Sequence, residues 1–292
     1  MEIQYKYGII IVQFNSMLNP ISVLLCEPAF FDVLYEGNIY MKHLPKIDLE
    51  NALFQWTSLK MIYEKLGFVI KNIPGVPGLE DMVFTANQSF PFINKKNEKC
   101  VILSKMRNPQ RKGEVELFKQ YYASLNYKVY ELSEAAVYFE SMGDALIDYK
   151  NDRIFGGYGF RTNENVYDEI SSITGLETIK LKLVSEKFYH LDTCMSILNS
   201  EAAIICREGF DKSSLERIYN CFKKVYEVSE EDNIKAFLCN CHCPDGKNII
   251  VQKNDNELFK NILSRDFNII ETDTSEFMKS GGSVFCMKMM MW

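Results

Sequence analysis

The sequence has few histidines and no long apolar segment. Three histidines occur among 292 residues, at positions 43, 190 and 242, so a site built on several imidazoles has few candidates. No window approaches the roughly 18 apolar residues of a membrane-spanning helix, and the apolar run from Gly8 to Val12 is too short for a secretion signal. These absences argue against a membrane association and against export. We therefore expect a cytoplasmic protein whose nine cysteines are free thiols.

A large excess of positive charge is also lacking. Lysine and arginine total 33 against 39 acidic residues, which gives a net charge of -6, and there is no basic tail. This balance argues against nucleic acid as a partner. The hydrophobic content of 47% and the charged content of 25% are ordinary for a folded chain with a large core. No linker-like stretch divides the chain, so we expect an N-terminal extension at residues 1–20 and a single domain at residues 21–292. The oligomeric state stays open.

Helical and strand patterns alternate along the expected domain. Apolar residues three to four positions apart predict a helix from Asp48 to about Leu66. Further helices are predicted at residues 113–125, 163–173, 213–222 and 256–264. Short strands are predicted at residues 21–28, 67–73, 82–87, 99–105, 128–132, 136–140, 145–149, 153–155, 178–183, 235–243, 247–251, 267–271 and 287–292, with a hairpin at 194–206. Because helices recur at intervals of roughly 45 to 50 residues, the sequence indicates a ring or array of similar small α/β units.

The C-terminal segment SGGSVFCMKMMMW contains the first candidate for chemistry, Cys286. Gly281 and Gly282 precede it, and glycine allows tight turns and a close approach of the backbone to a ligand. A thiol delivered by such a turn can act as a nucleophile. The alternative is that Cys286 packs in the core, as buried cysteines commonly do.

Polar residues upstream of Cys286 favour its role as a nucleophile over a role in core packing. His190 and Asp192 alternate in FYHLDT, so on a strand their side chains would share one face. Asp81, at a junction between loop and strand, and Glu140, after an apolar run, are further candidates, although each also suits a turn or a helix cap. Carboxylates pair bidentately with a guanidinium group, whose central carbon a thiolate can attack. Together these residues predict a site for a planar cation.

A second cluster, formed by Cys239, Cys241, His242 and Cys243, invites interpretation as a zinc site. The spacing argues against zinc, because neighbouring residues of a strand point to opposite faces and do not converge easily on one ion. There is also no second C-x-x-C pair. We therefore expect neither a metal nor an organic cofactor.

Several motifs, in the same order, resemble those of the guanidine-modifying superfamily of arginine deiminases, arginine dihydrolases, dimethylarginine dimethylaminohydrolases and amidinotransferases. The resemblance extends from about Leu24 to Met289. It is carried by LLCEPAFFDVLYEGN (24–38), DMVFTAN (81–87), RNPQRKGEVE (107–116), FESMGD (139–144), GYGFRTN (157–163), FYHLDT (188–193), CNC around Asn240, and DTSEF and SGGSVFCM within 273–287. The resemblance implies a five-bladed α/β propeller, or pentein, of ββαβ-type units around a pseudo-fivefold axis.

The resemblance also implies a role for each matching residue. Cys286 would be the nucleophile, His190 the general acid and base, and Glu140 the carboxylate that orients the guanidinium group or His190. The substrate-binding residues would be Asp81 and Asp192 for the guanidinium nitrogens, Phe84 for its plane, Arg111 and Arg161 for the α-carboxylate of the substrate, Asn87 within the active site, and Asn38 and Asn240 as weaker matches for amino-acid recognition. The substrate would be a small guanidino compound.

Two departures from the superfamily patterns bear on the substrate. FESMGD has one more residue between Glu140 and Gly143 than the E-x-G-D pattern of dimethylarginine hydrolases, and Ala86-Asn87 replaces an acidic pair. The ending T-A-N resembles arginine dihydrolases, so we expect citrulline, ornithine or both from arginine. The alternatives are dimethylarginine hydrolysis, amidinotransfer, and a non-catalytic arginine-binding or sensor protein.

Overall fold

The structure, a computed structural model, describes the backbone of residues 2–6 and 9–13 and all atoms of residues 19–292. The fold is mixed α/β. The strands are β1 (Glu2–Lys6), β2 (Ile9–Gln13), β3 (Ser22–Cys26), β4 (Val69–Ile73), β5 (Ser89–Ile93), β6 (Lys99–Leu103), β7 (Lys128–Tyr130), β8 (Ala145–Asp148), β9 (Arg153–Tyr158), β10 (Glu177–Lys182), β11 (Met195–Asn199), β12 (Ala202–Ile205), β13 (Lys224–Glu227), β14 (Asn248–Gln252), β15 (Asn268–Thr272) and β16 (Met289–Met291). The helices are α1 (Leu49–Lys65), α2 (Lys112–Ser124), α3 (Val166–Thr174), α4 (Lys212–Cys221), α5 (Glu230–Ala236), α6 (Glu257–Leu263) and α7 (Ser275–Met278).

One strand order recurs through residues 19–292. The sheets β5-β6-β7, β8-β9-β10 and β11-β12-β13 each contain an antiparallel pair followed by a third strand parallel to the second. The sheet β16-β3-β4 has the same order, with its antiparallel strand supplied by the C-terminal part of the chain. In the fifth unit β14 and β15 are parallel, and a bridge between His242 and Ile250 takes the place of the antiparallel strand. Residues 19–292 thus contain five units built on this strand order, the fifth with a bridge in place of one strand. The helix spacing predicted an array of similar small units without giving their number.

A crossover helix joins the two parallel strands in each unit, because parallel neighbours cannot be connected by a tight turn. Local signals in the sequence set the helix ends. Asp48 accepts a hydrogen bond from the backbone N of Asn51 at the start of α1, and Asp211 does the same for Ser214 at the start of α4. Gly175 ends α3 in the left-handed conformation with φ of 74°. All five predicted helices occur, each within a few residues of its expected bounds.

The apolar faces of the units pack into two clusters of buried residues. The larger cluster includes the fully buried strand β12 and the aromatic rings of Phe90 and Phe155. The smaller cluster lies against α1 and includes Trp56, Phe277 and Cys286. The thiol predicted to be a nucleophile therefore lies at the edge of an apolar region, where burial governs its chemistry.

Two predicted strands are instead turns that carry site residues. Residues 82–87 were expected to form a strand, but Glu80–Val83 is a 3-10 helix, and backbone bonds from Phe84 N to Asp81 O and from Asn87 N to Phe84 O continue the turn. Residues 136–140 make only a bridge between Phe139 and Lys105. A short apolar run does not distinguish a strand from a buried turn by periodicity alone, which is why both predictions were wrong.

The strand predicted at residues 235–243 is also wrong. The segment begins as the end of α5, whose N-cap Ser229 accepts a hydrogen bond from the backbone N of Asp232. Three acidic residues follow in the first turn and favour the helix N-terminus. Phe237 then adopts a left-handed conformation with φ of 47°, and only His242 pairs with a neighbouring strand.

The first twenty residues were expected to be an ordered extension. Within them β1 and β2 pair antiparallel, with Glu2 opposite Gln13, while residues 1, 7, 8 and 14–18 lie outside the described part of the chain. None of the helices in the described ranges is long and apolar enough to cross a membrane.

Candidate active site

A small cavity of about 20 Å³ lies beside Cys286, at the point where turns from several units meet. Eight predicted site residues line it: Asn38, Asp81, Phe84, Asn87, Arg111, Arg161, His190 and Cys286. The other three, Glu140, Asp192 and Asn240, lie behind this wall and make hydrogen bonds to His190 or Cys286. The structure therefore brings all eleven predicted residues to one place.

The turn that delivers Cys286 requires its two glycines. A Cβ atom on Gly282 would lie 2.3 Å from a ring carbon of Phe84, which is far inside van der Waals contact. Gly281 has φ of +86°, a conformation that other residues rarely adopt. This tight packing places Phe84 directly against the turn that carries the thiol.

The amide of Asn240 holds Cys286 in place. Its Oδ1 accepts hydrogen bonds from the backbone N of Ser283 at 3.0 Å and of Cys286 at 3.3 Å. Its Nδ2 therefore faces the other way and donates to the Sγ of Cys286 at 3.1 Å. A donor at this distance also stabilises a negative charge on sulfur.

The Sγ of Cys286 donates a hydrogen bond to the Oδ2 of Asp192 at 3.0 Å. Burial, followed by the charge of Asp192, raises the pKa of the Cys286 thiol well above its usual value. Burial also raises the pKa of Asp192, to about 7. The other carboxylate oxygen of Asp192, Oδ1, is buried and has no hydrogen-bond partner among residues 19–292. The pair therefore keeps the thiol protonated and leaves one buried acceptor without a partner in residues 19–292.

His190 lies beside a different carboxylate. Its Nε2 is hydrogen-bonded to Oε2 of Glu140 at 2.8 Å, and Nη1 of Arg161 donates to the same oxygen at 2.9 Å. The backbone N of Arg107 donates to Oε1 of Glu140 at 3.0 Å. Burial acts to raise the pKa of Glu140, but Arg161 and His190 outweigh it and hold that pKa well below its usual value. Glu140 is therefore a fixed negative charge that orients the imidazole.

The prediction that His190 and Asp192 share one face of a strand is wrong. Leu191–Thr193 form a 3-10 helix with His190 as its N-cap. Thr193 donates from Oγ1 to the backbone O of His190 at 2.7 Å, and such local side-chain bonds compete with strand pairing. The two side chains consequently serve different partners: His190 contacts Glu140, and Asp192 contacts Cys286.

A carboxylate that was not predicted, Asp144, supports this turn. Its Oδ1 accepts from the backbone N of Leu191 at 2.9 Å, and its Oδ2 accepts from Oγ1 of Thr162 at 2.7 Å. Burial raises the pKa of Asp144 to about 6. Asp144 lies inside FESMGD, where only Glu140 was given a role, so the motif contained the signal.

Asp81 and Asn38 both bind Ser280, which also lines the cavity. Oδ1 of Asp81 accepts from Oγ of Ser280 at 3.1 Å, and the hydroxyl of Tyr35 donates to Oδ2. Nδ2 of Asn38 donates to the backbone O of Ser280 at 2.9 Å. Tyr35 was not predicted, although it lies within the quoted motif LLCEPAFFDVLYEGN.

Both predicted arginines already have partners in the protein. Nη2 of Arg161 donates to the backbone O of Gly37 at 2.7 Å, in addition to the bond from Nη1 to Glu140. Arg111 forms a buried ion pair with Glu114, 2.9 Å between Nη2 and Oε2. Glu114 was missed although it lies three residues after Arg111 in the quoted motif, a spacing at which helical side chains meet.

Lys288 is a further residue that the sequence analysis did not single out. Its side chain is 1% exposed, its Nζ lies 3.2 Å from the ring centroid of Phe285, and it lines a separate cavity of about 540 Å³. Burial lowers the pKa of Lys288 to about 7, while the charges of Asp192 and Cys286 act in the opposite direction. The run of methionines around Lys288 predicted only a strand with one apolar face.

The cluster considered for zinc is part of the core. Nδ1 of His242 is hydrogen-bonded to the hydroxyl of Tyr63 at 2.8 Å, and burial lowers the pKa of His242 well below its usual value. Within the described ranges, no group of three or more histidine, cysteine, aspartate or glutamate residues has an arrangement that could hold a metal ion.

Comparison with known proteins agrees with the motifs. The eukaryotic N,N-dimethylarginine dimethylhydrolase family matches residues 36–292. The dimethylarginine dimethylaminohydrolase of Mycobacterium tuberculosis is 30% identical over 263 residues, which cover 90% of this chain and 83% of that protein. The bifunctional arginine dihydrolase/ornithine cyclodeaminase AgrE of a Nostoc species is 31% identical over 93% of this chain, which spans 38% of that longer protein.

Solved structures give the same result. The N-terminal domain of ArgZ, a cyanobacterial arginine dihydrolase solved as a cysteine-to-serine variant with substrate, has a TM-score of 0.86 and 30% identity, covering 92% of this chain and 97% of that one. The dimethylarginine dimethylaminohydrolase of Pseudomonas aeruginosa, with a TM-score of 0.77 and 21% identity over 94% of this chain and 100% of that one, shares the fold. The match over residues 36–292 and these likenesses establish that the chain belongs to the N,N-dimethylarginine dimethylhydrolase family of guanidine-modifying enzymes.

Proposed function

We propose that the protein is a hydrolase that acts on the guanidinium group of arginine through a covalent adduct on Cys286 and yields ornithine with citrulline as the intermediate product. One observation supports this function most directly. The thiol of Cys286 and the imidazole of His190 line one cavity, beside a buried carboxylate oxygen of Asp192 that has no partner in residues 19–292. A guanidinium N–H is the donor that such an oxygen lacks, since an unpaired buried acceptor is costly.

The proposed binding mode places the planar cation between carboxylates. Asp81 and Asp192 would accept from its nitrogens, with Glu140 adding negative charge behind His190. Phe84 would pack against the plane of the group. Arg111 and Arg161, with Asn38, are the residues proposed on resemblance for the α-amino-acid end, although both arginines use most of their N–H groups within the protein.

In the first reaction the incoming cation promotes transfer of the proton from Cys286 to His190, because it compensates the charge of Asp192 and favours the thiolate. The thiolate attacks the guanidinium carbon and forms a C–S bond. His190 donates a proton to the departing ammonia, and then takes one from the water that breaks the C–S bond. Alignment of the reacting atoms supplies about 7–11 kcal/mol of the barrier reduction.

The second reaction repeats this chemistry on the ureido group of citrulline and gives ornithine, ammonia and carbon dioxide. Asn87 supports this step. Its neutral amide replaces a carboxylate of the acidic pair, and a carboxylate there would favour a guanidinium cation over the neutral ureido group. The likeness to the N-terminal domain of ArgZ, an arginine dihydrolase, supports the same assignment. No step in this scheme uses a metal or an organic cofactor.

We also propose that the five units are blades of a propeller around a pseudo-fivefold axis. In that arrangement residues 21–292 form one catalytic domain, residues 1–20 are an extension, and the active site lies at the centre of the ring. The recurrence of one strand order in five units supports this arrangement, because loops at one end of such a ring converge.

A second candidate function is hydrolysis of dimethylarginine to citrulline and dimethylamine. The match to the dimethylarginine dimethylhydrolase family and the relative in Mycobacterium tuberculosis favour it. The two functions differ in whether the pocket accepts methyl groups. Competition between arginine and dimethylarginine for the purified protein, with products identified by mass spectrometry, separates them.

The experiment that tests the proposal is an incubation of the purified protein with arginine, citrulline, agmatine and dimethylarginine side by side. We expect ammonia release and ornithine from arginine. The Cys286→Ala variant should keep its fold and lose turnover, because no other described thiol lines the cavity. An unchanged rate in this variant would rule out the mechanism.

A further inference from the structure

A second cavity, of about 540 Å³, lies apart from the active site. None of the residues that line it in the described part of the chain is among those that line the cavity beside Cys286. Its volume falls within the range of sites that hold small organic molecules, about 300–1,000 Å³. The protein therefore has room for a second ligand besides the proposed substrate.

The second cavity lies at the far ends of strands that begin at the active site. Strand β8 starts directly after Asp144 and ends at Asp148, which lines the second cavity. Strand β11 follows the 3-10 turn of Asp192 and ends at Asn199, which lines it as well. A strand rises about 3.3 Å per residue, so these strands separate the two sites by a distance on the order of 15 Å.

A cationic side chain, that of Lys288, lies at the wall of the second cavity. Lys288 is 1% exposed, and its Nζ lies 3.2 Å from the ring centroid of Phe285, which also lines the cavity. The negative charges that act on Lys288 are those of Asp192 and Cys286, which are hydrogen-bonded to each other at 3.0 Å. A buried ammonium group is costly unless it is paired, so this wall favours an anion.

The carboxylates around the second cavity already have partners in the protein. The three acidic residues that line it are Asp148, Glu201 and Asp245. Asp148 forms an ion pair with Arg153 at 3.0 Å, and Glu201 forms one with Lys223 at 2.6 Å. Asp245 accepts from the backbone N of Lys247 at 2.9 Å. These bonds offset the negative charge near the cavity, and the charge of Lys288 is left to select the ligand.

A neutral imidazole adds a hydrogen-bond donor to the cavity wall. His242 lines the cavity, and its Nδ1 is hydrogen-bonded to the hydroxyl of Tyr63 at 2.8 Å. Tyr63 is fully buried, and a buried hydroxyl needs an acceptor for its proton. Tyr63 therefore donates to Nδ1, and Nε2 of His242 carries the ring hydrogen, since a neutral imidazole has one N–H.

Much of the remaining wall is apolar. Buried apolar side chains on it include Met142, Leu146, Leu198, Phe285 and Met290. Such a surface favours hydrocarbon groups and disfavours an ion that keeps its full hydration shell. The wall therefore combines a hydrocarbon surface with a cation and an N–H donor, which together suit a ligand with one anionic group and one apolar part.

From this arrangement we propose that the second cavity binds a small organic carboxylate, with the carboxylate group at Lys288 and the apolar part against Leu146 and Leu198. The ligand pairs with the ammonium group and so offsets the cost of a buried charge. Binding here goes beyond the proposed function and does not depend on the reaction at Cys286.

The first test is calorimetry with hexanoate on the full-length Cys286→Ala protein, alone and with excess arginine. We expect one hexanoate per chain, with the same affinity in both conditions. Lys288→Met in this background should weaken hexanoate about tenfold to a hundredfold, the loss expected for a hydrogen bond to a charged group, and should leave hexanol unaffected. Lys212→Met is the matched control, since Lys212 is exposed and lies outside the cavity.

Two results of the calorimetry would overturn the proposal. Equal hexanoate affinity with and without Lys288 would show that this ammonium group does not hold the carboxylate. Displacement of hexanoate by arginine would place it in the active site instead. Absence of ammonia from arginine with the wild-type protein contradicts the proposed function alone, and leaves the effect of Lys288→Met to decide this one.

A labelling experiment on the wild-type protein keeps the proposal testable if Lys288→Met does not fold. Formaldehyde with cyanoborohydride methylates accessible amines, and peptide mass spectrometry compares Lys288 with Lys212. Hexanoate at ten times its Kd should slow methylation of Lys288 about tenfold, by mass action, and leave Lys212 unchanged. Equal protection by inorganic phosphate would contradict the apolar part of the site. Failure of Lys288 to react without hexanoate would show that its amine does not reach the cavity, and would also overturn the proposal.

Discussion

The thiol of Cys286 donates its hydrogen bond to Oδ2 of Asp192, at 3.0 Å. His190, the proposed acid and base, is hydrogen-bonded to Glu140 at 2.8 Å. The site therefore contains two separate pairs, one that holds the sulfur protonated and one that holds the imidazole in position. In the proposed mechanism a cationic substrate compensates the charge of Asp192 in the first pair, while Glu140 continues to orient His190 in the second.

The first prediction concerns the reactivity of Cys286. Because the charge of Asp192 raises the pKa of the thiol, Asp192→Asn should lower that pKa and speed alkylation of Cys286 at pH 8 by about tenfold for each unit of pKa. Turnover should fall, since the variant loses a carboxylate that is proposed to bind the substrate. The measurement is peptide mass spectrometry after iodoacetamide treatment between pH 6.5 and 10, with Cys221 as the internal control. Unchanged or slower alkylation of Cys286 would contradict the assigned cause.

The second prediction concerns Glu140. Glu140→Gln should lower kcat/KM by about 10²–10⁴, because the imidazole of His190 loses the carboxylate that orients it. It should also destabilise the protein by about 3–5 kcal/mol, since Arg161 is left as a buried charge without its partner. Steady-state kinetics and denaturant unfolding measure the two effects. Glu131→Gln is the control, as Glu131 forms an exposed pair with Lys119 and should matter little.

The pH dependence of the Glu140 contribution has a definite sign. The pKa of Glu140 is lower in the folded protein than its usual value of 4.5, so its stabilising contribution is present above pH 4.5 and declines as pH falls below it. The difference in unfolding free energy between wild type and Glu140→Gln should therefore shrink from pH 6 to pH 3. A difference that grows over this range would show that the carboxyl group is protonated in the folded protein at neutral pH.

The third prediction concerns Asn87. An aspartate there would place a negative oxygen in the cavity, which favours a guanidinium ion over a neutral ureido group. Asn87→Asp should lower the KM for arginine and shift the products from ornithine toward citrulline. Quantitative mass spectrometry of both amino acids over a time course measures the shift, and an unaltered product ratio would remove the reason for preferring arginine dihydrolase activity.

The fourth prediction concerns Lys288. Its side chain is 1% exposed and burial lowers its pKa to about 7, so Lys288→Met should stabilise the fold at pH 7 by about 1–3 kcal/mol. A lysine whose folded pKa is lowered makes the protein more stable as pH rises from 7 to 10, so the gain should shrink over that range. Denaturant unfolding at several pH values checks this. Lys212→Met, on an exposed side chain, should change stability by less than about 0.5 kcal/mol.

Local patterns predicted the repeating elements well. The five helices follow from apolar periodicity and from caps such as Asp48 and Asp211, which are properties of a few neighbouring residues. The wrong strand predictions, at residues 82–87, 136–140 and 235–243, fall on segments that contain turns with short-range backbone bonds. Periodicity contains no information about such turns, and these segments carry Asn87, Glu140 and Asn240.

The sequence by itself proposed eleven residues for the site, because ordered motifs named them, and these eleven lie together around Cys286. It did not name Tyr35, Glu114 or Asp144, which contact them. Only the tertiary structure decided what each one contacts: Asp192 holds the thiol, Glu140 holds His190, and Arg111 donates to the amide of Asn87. The physical reason is that a motif records residue type along one segment. A hydrogen-bond partner depends on distance and orientation between segments far apart along the chain, 94 residues for Cys286 and Asp192 and 242 residues for Asn38 and Ser280.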